Sequence, residues 1–189
     1  MPTVTACFGC RTTANSSRPA PHRPPRAMDD PVPAAVRGVA VAGAVEADVA
    51  GILAVLAAAY APYAGEFRPT ALGRTAGSVR RELSHWLVAR LDGRPVGCVL
   101  QYPEDGSYTL CFLATEPRLC GRGIGSALVD AVVRRAAAAG CREIRIALRT
   151  SLAANTAFFT RRGFRRVAPF RPGTHDLYEL KLEAPPWAP

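Results

Sequence analysis

The segment Cys120-Gly121-Arg122-Gly123-Ile124-Gly125-Ser126 constrains this chain more than any other. It follows an apolar run that ends in Leu113-Ala114-Thr115. It opens a stretch in which Leu128, Val129, Val132, Val133 and Ala136 recur at helical spacing. A strand, a glycine-rich turn and a helix N-terminus, in that order, make an anion site. Glycines let the backbone approach a ligand closely and leave N–H groups directed outward, and the helix dipole adds positive potential. Two nucleotide-binding devices share these parts, and neither fits. A dinucleotide fingerprint requires Gly or Ala where Ser126 stands and an acidic residue at the end of the next strand, which here ends in Arg149-Thr150. An ATP phosphate loop requires Gly-Lys-Ser/Thr, and Lys181 is the only lysine in the chain. A tight turn without a ligand is the plainer alternative. Three glycines at alternate positions ahead of an amphipathic helix argue against it.

Around this segment, helical and strand-like patterns alternate. Val39–Val45 reads as a strand and Glu46–Tyr60 as a helix, with Val49, Ile52, Leu53, Leu56 and Tyr60 inward and Glu46 and Asp48 in the first turn, where they complement the helix dipole. Phe67–Leu83 reads as a loop and a second helix. His85–Arg90, the turn Asp92-Gly93 and Pro95–Gln101 form a hairpin, and Ser107–Thr115 is the next strand. The helix over Gly125–Ala139 closes at Gly140, the residue suited to a left-handed cap. Cys141–Leu148 alternates as a strand, Leu152–Arg162 is helical, and strands near Phe164–Phe170 and Leu177–Leu182 finish the series. The interleaving predicts an α/β (α+β) fold with a mixed sheet. Residues 1–36 are rich in Pro, Arg, Ala, Ser and Thr without a hydrophobic period and are expected to be disordered. Met28 within them is an alternative start. Residues 37–183 are expected to form the domain and 184–189 a frayed end.

The chain carries a formal charge of +9 over 189 residues, which raises the question of nucleic acid. The arginines are scattered through periodic segments, as in Arg80-Arg81, Arg134-Arg135 and Arg165-Arg166, and form no basic run, so solvated faces and an anionic ligand are the expected reading. Of the six cysteines, Cys98, Cys111 and Cys141 fall in apolar runs, where a thiol acts as a small hydrophobe. Cys7-Phe8-Gly9-Cys10 has half the spacing of a zinc site, but no second Cys/His pair follows, so no metal is expected. No signal-peptide core or long apolar span is present, which points to a reducing, cytoplasmic setting and away from a membrane.

Thr115-Glu116-Pro117-Arg118-Leu119-Cys120-Gly121-Arg122-Gly123-Ile124-Gly125-Ser126-Ala127-Leu128 resembles the acetyl-CoA-binding motif of the GNAT family of N-acetyltransferases. Asn155-Thr156-Ala157-Phe158-Phe159-Thr160-Arg161-Arg162-Gly163-Phe164 is similar to that family's next motif, and the spacing between the two also fits. The resemblance covers roughly Val36 to Leu182. It implies a mostly antiparallel sheet of about six or seven strands flanked by about four helices.

It further implies that main-chain groups of Leu113, Ala114 and Thr115 pair with the pantetheine arm, and that N–H groups from Gly121 through Arg122, Gly123, Ile124 and Gly125 to Ser126 cradle the pyrophosphate, with Arg122 adding charge. Asn155 and Phe158 would line the cofactor's far side. The strand holding Leu113 would carry a bulge and splay from its neighbour. Two positions depart from the family pattern. Cys120 stands where Gln or Arg is usual, and Phe159 stands where many members carry a tyrosine thought to protonate the leaving thiolate.

The expected activity is transfer of the acetyl group of acetyl-CoA to an amine of a small molecule or peptide by direct attack. The alternative is a catalytically weak or inactive acyl-CoA-binding sensor or partner module, suggested by Cys120 and Phe159. No catalytic residue is assigned. Glu66, Glu82, Glu104, Asp105, His85 and His175 are candidate bases, and Tyr60 and Tyr63 candidate acceptor-pocket residues. The sequence leaves acyl length and oligomeric state open, and a homodimer is compatible with it.

Overall fold

The computed structural model of the chain describes residues 38–104 and 106–182. The expected N-terminal tail with Met28 and the Cys7/Cys10 pair, the C-terminal end and Asp105 lie outside the described residues. Seven strands form one sheet: β1 (Val39–Gly43), β2 (Trp86–Leu91), β3 (Arg94–Glu104), β4 (Ser107–Thr115), β5 (Glu143–Arg149), β6 (Arg165–Arg171) and β7 (His175–Lys181). The helices are α1 (Val49–Tyr60), α2 (Ala76–Arg81), α3 (Ile124–Ala138) and α4 (Ala153–Thr160). The sheet order is β1-β2-β3-β4-β5-β7-β6, and only the β4–β5 pair is parallel. The architecture is therefore the expected one.

Local rules account for most of the boundaries. Asp92 and Gly93 both take positive φ (51° and 80°), as a two-residue hairpin turn between β2 and β3 requires. Gly140 ends α3 with φ 71°. At the start of α1 the outcome differs from expectation. Glu46–Asp48 is a 3₁₀ turn, and Asp48 turns inward instead of decorating a helix end. It accepts the Val45 N–H at 2.7 Å and pairs with Arg90 of β2, whose Nε donates at 2.9 Å. A buried carboxylate is tolerable because a guanidinium and an N–H both meet it.

The sheet separates two cores. On one face α3 and α4 cover it, with Val99, Leu110, Leu113, Ile124, Leu128, Ile144, Ile146, Phe159 and Phe164 buried together. On the other face α1 covers it, with Ile52, Leu56, Tyr60, Trp86, Cys98, Leu100, Cys111 and Phe112. Strict alternation along β4 would separate Cys111 from Phe112, yet both lie on the α1 face. The cause is a bulge. Leu100 pairs with Cys111 and Cys98 with Ala114, so Phe112 and Leu113 together oppose Val99. Phe112 absorbs the extra residue with φ 44°, a conformation unusual for a bulky side chain.

Candidate functional site

The bulge coincides with a break in the sheet. β4 pairs with β5 only from Ser107 to Thr109, opposite Glu143 to Arg145, although both strands run on to Thr115 and Arg149. From Leu110 onward the β5-facing edge of β4 has no strand partner, while its other edge stays paired with β3 as far as Thr115. Main-chain donors and acceptors along Leu113-Ala114-Thr115 thus face an opening between two strands. A bulge and a parted ladder side by side are a common way to open a sheet at a site.

At the end of that edge the chain turns through Pro117–Leu119 into the glycine segment. Gly121 and Gly123 take φ 78° and 82°, where a side chain would be strained. Gly123 caps α3 without a side-chain bond, and the first helical bond runs from the Ala127 N–H to the Gly123 carbonyl at 2.9 Å. The N–H groups of Ile124, Gly125 and Ser126 therefore have no intrahelical acceptor, and they carry the positive end of a 15-residue helix dipole. Arg122 is exposed beside them. Cys120 turns back toward the strand, its Sγ 3.6 Å from Thr115 Oγ1 and 3.8 Å from the Glu116 carbonyl oxygen.

Helix and strand are drawn together at Gly97 of β3. A Cβ there would sit 2.9 Å from Ile124 Cγ2, 3.1 Å from Leu128 Cδ1 and 3.2 Å from the Ala114 carbonyl oxygen. Only glycine lets the first turn of α3 lie this close to β3, the strand paired with β4. The sequence held a signal for it, since glycine inside an apolar strand marks close approach.

The second motif lies on α4, which follows the C-terminal end of β5. Asn155 is buried and Phe158 half-buried against the α3-side core, with the Arg162 guanidinium 5.0 Å from the Phe158 ring. Arg162 also donates to Asp130 of α3 at 2.8 Å, which locks α4 to the helix that ends the glycine turn. Phe159 is 1% exposed, and its ring meets Phe158 and Phe164 edge-on at 5.0 and 5.2 Å. Its place is in the core.

On the α1 face the acceptor-pocket candidate Tyr60 and the candidate bases Glu82 and His85 make packing and pairing contacts. Tyr60 is fully buried. Glu82 accepts the Tyr102 hydroxyl at 2.6 Å and pairs with Arg74, whose guanidinium lies 4.6 Å above the Phe112 ring. Burial, then the Glu82 bond, pushes the Tyr102 hydroxyl far above its ordinary pKa. His85 stacks obliquely on Tyr102 at 5.1 Å. Burial alone raises the Cys98 thiol, and chiefly burial pushes Cys111 up to about 12, so neither is a nucleophile at neutral pH. Glu66 and Glu104 are exposed, Glu104 at the end of β3 opposite Ser107, away from the opening.

Nearer the opening, Tyr63 stacks on Phe67 at 5.8 Å, and Phe67 carries the Arg149 guanidinium at 3.9 Å. His175 of β7 lies opposite Arg149 of β5. It is 3% exposed, with Nδ1 3.0 Å from Thr174 Oγ1. Burial, then the charges of Arg149 and Arg171, hold its pKa below the ordinary 6.5, so it is neutral at pH 7.

Residues 53–164 match the acetyltransferase (GNAT) family. No curated protein matches the chain. Among solved structures, the chain is similar to the PaiA N-acetyltransferase of Thermoplasma acidophilum in complex with coenzyme A, at TM-score 0.68 and 16% identity over 76% of this chain and 99% of that one. It is also similar to the ribosomal-protein-S18-alanine N-acetyltransferase of Escherichia coli, at TM-score 0.63 and 16% identity over 76% and 93%. N-acetylglutamate synthase of Neisseria gonorrhoeae, complexed with coenzyme A and N-acetyl-glutamate, gives TM-score 0.62 and 18% identity over 77% of this chain and 35% of that one. At such identities the likeness is one of fold.

Proposed function

The chain belongs to the acetyltransferase (GNAT) family, and from that premise we propose that it moves the acetyl group of acetyl-CoA to an amine of a small molecule or peptide by direct attack. The observation that carries the reading is the continuous donor surface formed by the unpaired edge of β4 and the start of α3. It suits a ligand with an amide-bearing arm at one end and phosphates at the other. Main-chain groups of Leu113, Ala114 and Thr115 pair with the pantetheine amides as a neighbouring strand would. The N–H groups of Gly121 to Ser126 receive the pyrophosphate, and exposed Arg122 adds a screened charge. Asn155 and Phe158 support the far wall from α4. Bound there, acetyl-CoA supplies a thioester whose carbonyl an amine can attack.

This chain's own groups then position the partners and hold the developing charge. A β4 N–H at the bulge stabilises the oxyanion, since the ladder no longer uses the β5-facing edge. Phe159 cannot protonate the departing sulfur. The consequence is small, because a thiol of ordinary pKa, about 8.5, leaves readily as a thiolate near neutral pH. Loss of an acid there slows transfer without abolishing it, so the departure at Phe159 does not favour a purely binding role.

The test is release of CoA thiol from acetyl-CoA across a panel of amines, beside a thermal-shift comparison of acetyl-CoA, longer acyl-CoAs, NAD and ATP. Stabilisation by the CoA compounds alone, together with amine-dependent thiol release, is expected. Folded, CoA-stabilised protein that is silent with every amine would refute catalysis and leave the acyl-CoA sensor as the better account.

A further inference from the structure

Arg149 is a cationic group at the C-terminal end of β5, on the α1 face, and its surroundings are those of a binding group. It closes β5, and alternation puts it on the face opposite Ile144, Ile146 and Leu148, which join the α3-side core. Carrying the register forward from Thr109↔Arg145, with one residue allowed for the bulge, sets Arg149 level with Ala114. The two strands begin a normal ~4.8 Å apart where they pair. Arg149 therefore stands across the opening from the residues proposed to hold the reactive arm, on the face away from α3.

Its chemistry is that of a cation awaiting an anion. No carboxylate pairs with Arg149 among the described residues, although ten ion pairs occur elsewhere in them. Its Nε is buried and has no hydrogen-bond partner. That unmet N–H is a cost to the fold, while the residue as a whole stays partly exposed. The Arg149 guanidinium carbon lies over the Phe67 ring, 3.9 Å from its centroid, a cation–π contact that holds the guanidinium in place while its N–H donors stay available. Phe67 belongs to the segment between α1 and α2, and its own ring is braced by Tyr63. A guanidinium held this way can meet a carboxylate with two parallel N–H bonds and opposite charge, which a neutral group cannot match. The neighbouring His175, neutral at pH 7, adds no competing charge.

We propose that Arg149, clamped by Phe67, binds the carboxylate of the acceptor, so that the preferred substrates are free amino acids or other primary amines bearing a carboxylate close to the nitrogen. The inference rests on the acetyl-transfer reading above. It excludes peptide N-termini as the best acceptors, because there the neighbouring carboxylate is tied up as an amide.

Matched acceptors test it: leucine against isopentylamine and leucinamide, phenylalanine against phenethylamine and phenylalaninamide, β-alanine against propylamine, and phosphoethanolamine against ethanolamine. CoA release should favour each carboxylate over its counterpart lacking the carboxylate by about 10- to 100-fold in kcat/KM, the effect of a charge-assisted bidentate contact. Arg149→Gln should bring that ratio toward one. Arg149→Lys, which keeps the charge but loses the fork and the stacking, should leave an intermediate ratio and serves if the Gln variant does not fold. Equal use of the amines lacking a carboxylate, a preference confined to phosphoethanolamine, or an unchanged ratio in both variants would overturn the proposal. A binding arm keeps the two readings apart. With CoA saturating, the same carboxylates should raise the melting temperature of the unmodified protein and not of Arg149→Gln. Should no amine turn over, the acetyl-transfer reading falls while this arm still decides: protection by carboxylates lost in the variant upholds the subsite, and no selective protection removes it.

Discussion

Replacing Gly97 by alanine tests whether the close seating of α3 on β3, beside the open edge of β4, makes the cofactor site. The added Cβ would lie 2.9 Å from Ile124 Cγ2, 3.1 Å from Leu128 Cδ1 and 3.2 Å from the Ala114 carbonyl oxygen. Two of these neighbours are fully buried side chains and the third is backbone, so none can swing clear. Overpacking of this kind costs about 1–3 kcal/mol. Alanine in a strand recovers about 0.5–1 kcal/mol of chain entropy, since Gly97 does not need a positive φ. The expected net loss is about 1–2 kcal/mol, or a melting temperature lower by about 2–8 °C for a domain of this size. The larger effect falls on function. Relief of the clash pushes Ile124, the first residue of α3, away from the strand, which separates the N–H groups of the helix start from the β4 edge. A ligand that spans both should lose at least tenfold in affinity, about 1.4 kcal/mol. Urea unfolding measures the first quantity and titration calorimetry with CoA the second. Wild-type stability with CoA affinity within twofold would refute the claim that this contact spaces the site.

Three further outcomes follow from other contacts. Gly123→Ala forces a side chain into φ 82°, at a cost of about 1–2 kcal/mol in the turn, and calorimetry should show CoA binding weakened by at least tenfold with the domain still folded. Asp48→Asn leaves the half-buried Arg90 without its counter-charge, and urea unfolding should show a loss of about 1–3 kcal/mol; CoA affinity, measured where the variant is folded, should follow stability alone because the pair anchors α1 to β2. His175 titrates below its unfolded value of 6.5, so the unfolded chain takes up its proton first as pH falls. Its contribution to stability is thus present above about pH 6.5 and is lost as pH drops toward the lower native value. Urea midpoints measured from pH 7.5 to 5 should fall in the parent protein and flatten in His175→Gln.

Local rules made much of this protein legible in one dimension. The hairpin at Asp92-Gly93, the cap at Gly140 and the glycine turn before α3 each depend on φ preferences of a few adjacent residues. The helical period from Leu128 to Ala136 likewise reports which side of α3 is buried. These features sufficed for the family resemblance and for the placement of residues 113–115 and 121–126 at one end of one strand.

What lay beyond the sequence depends on residues far apart in the chain. The bulge at Phe112-Leu113 exists only relative to Val99, and the parting of β4 from β5 only relative to Arg145 and its continuation. Asp48 reads as a helix-start carboxylate until Arg90 arrives beside it from β2. Tyr60 and Phe159 read as site aromatics until their neighbours close over them. Arg149 entered the sequence reading only as a residue that a dinucleotide fold would not have, and its stacking on Phe67 needed the segment between α1 and α2 to be laid on the sheet. Sequence by itself determined the backbone that can receive an anion, because each glycine acts on its own φ and its nearest neighbours. Tertiary structure decided which edge is left unpaired and which charge is left unmatched, because pairing and burial are properties of the register between strands and of no single segment.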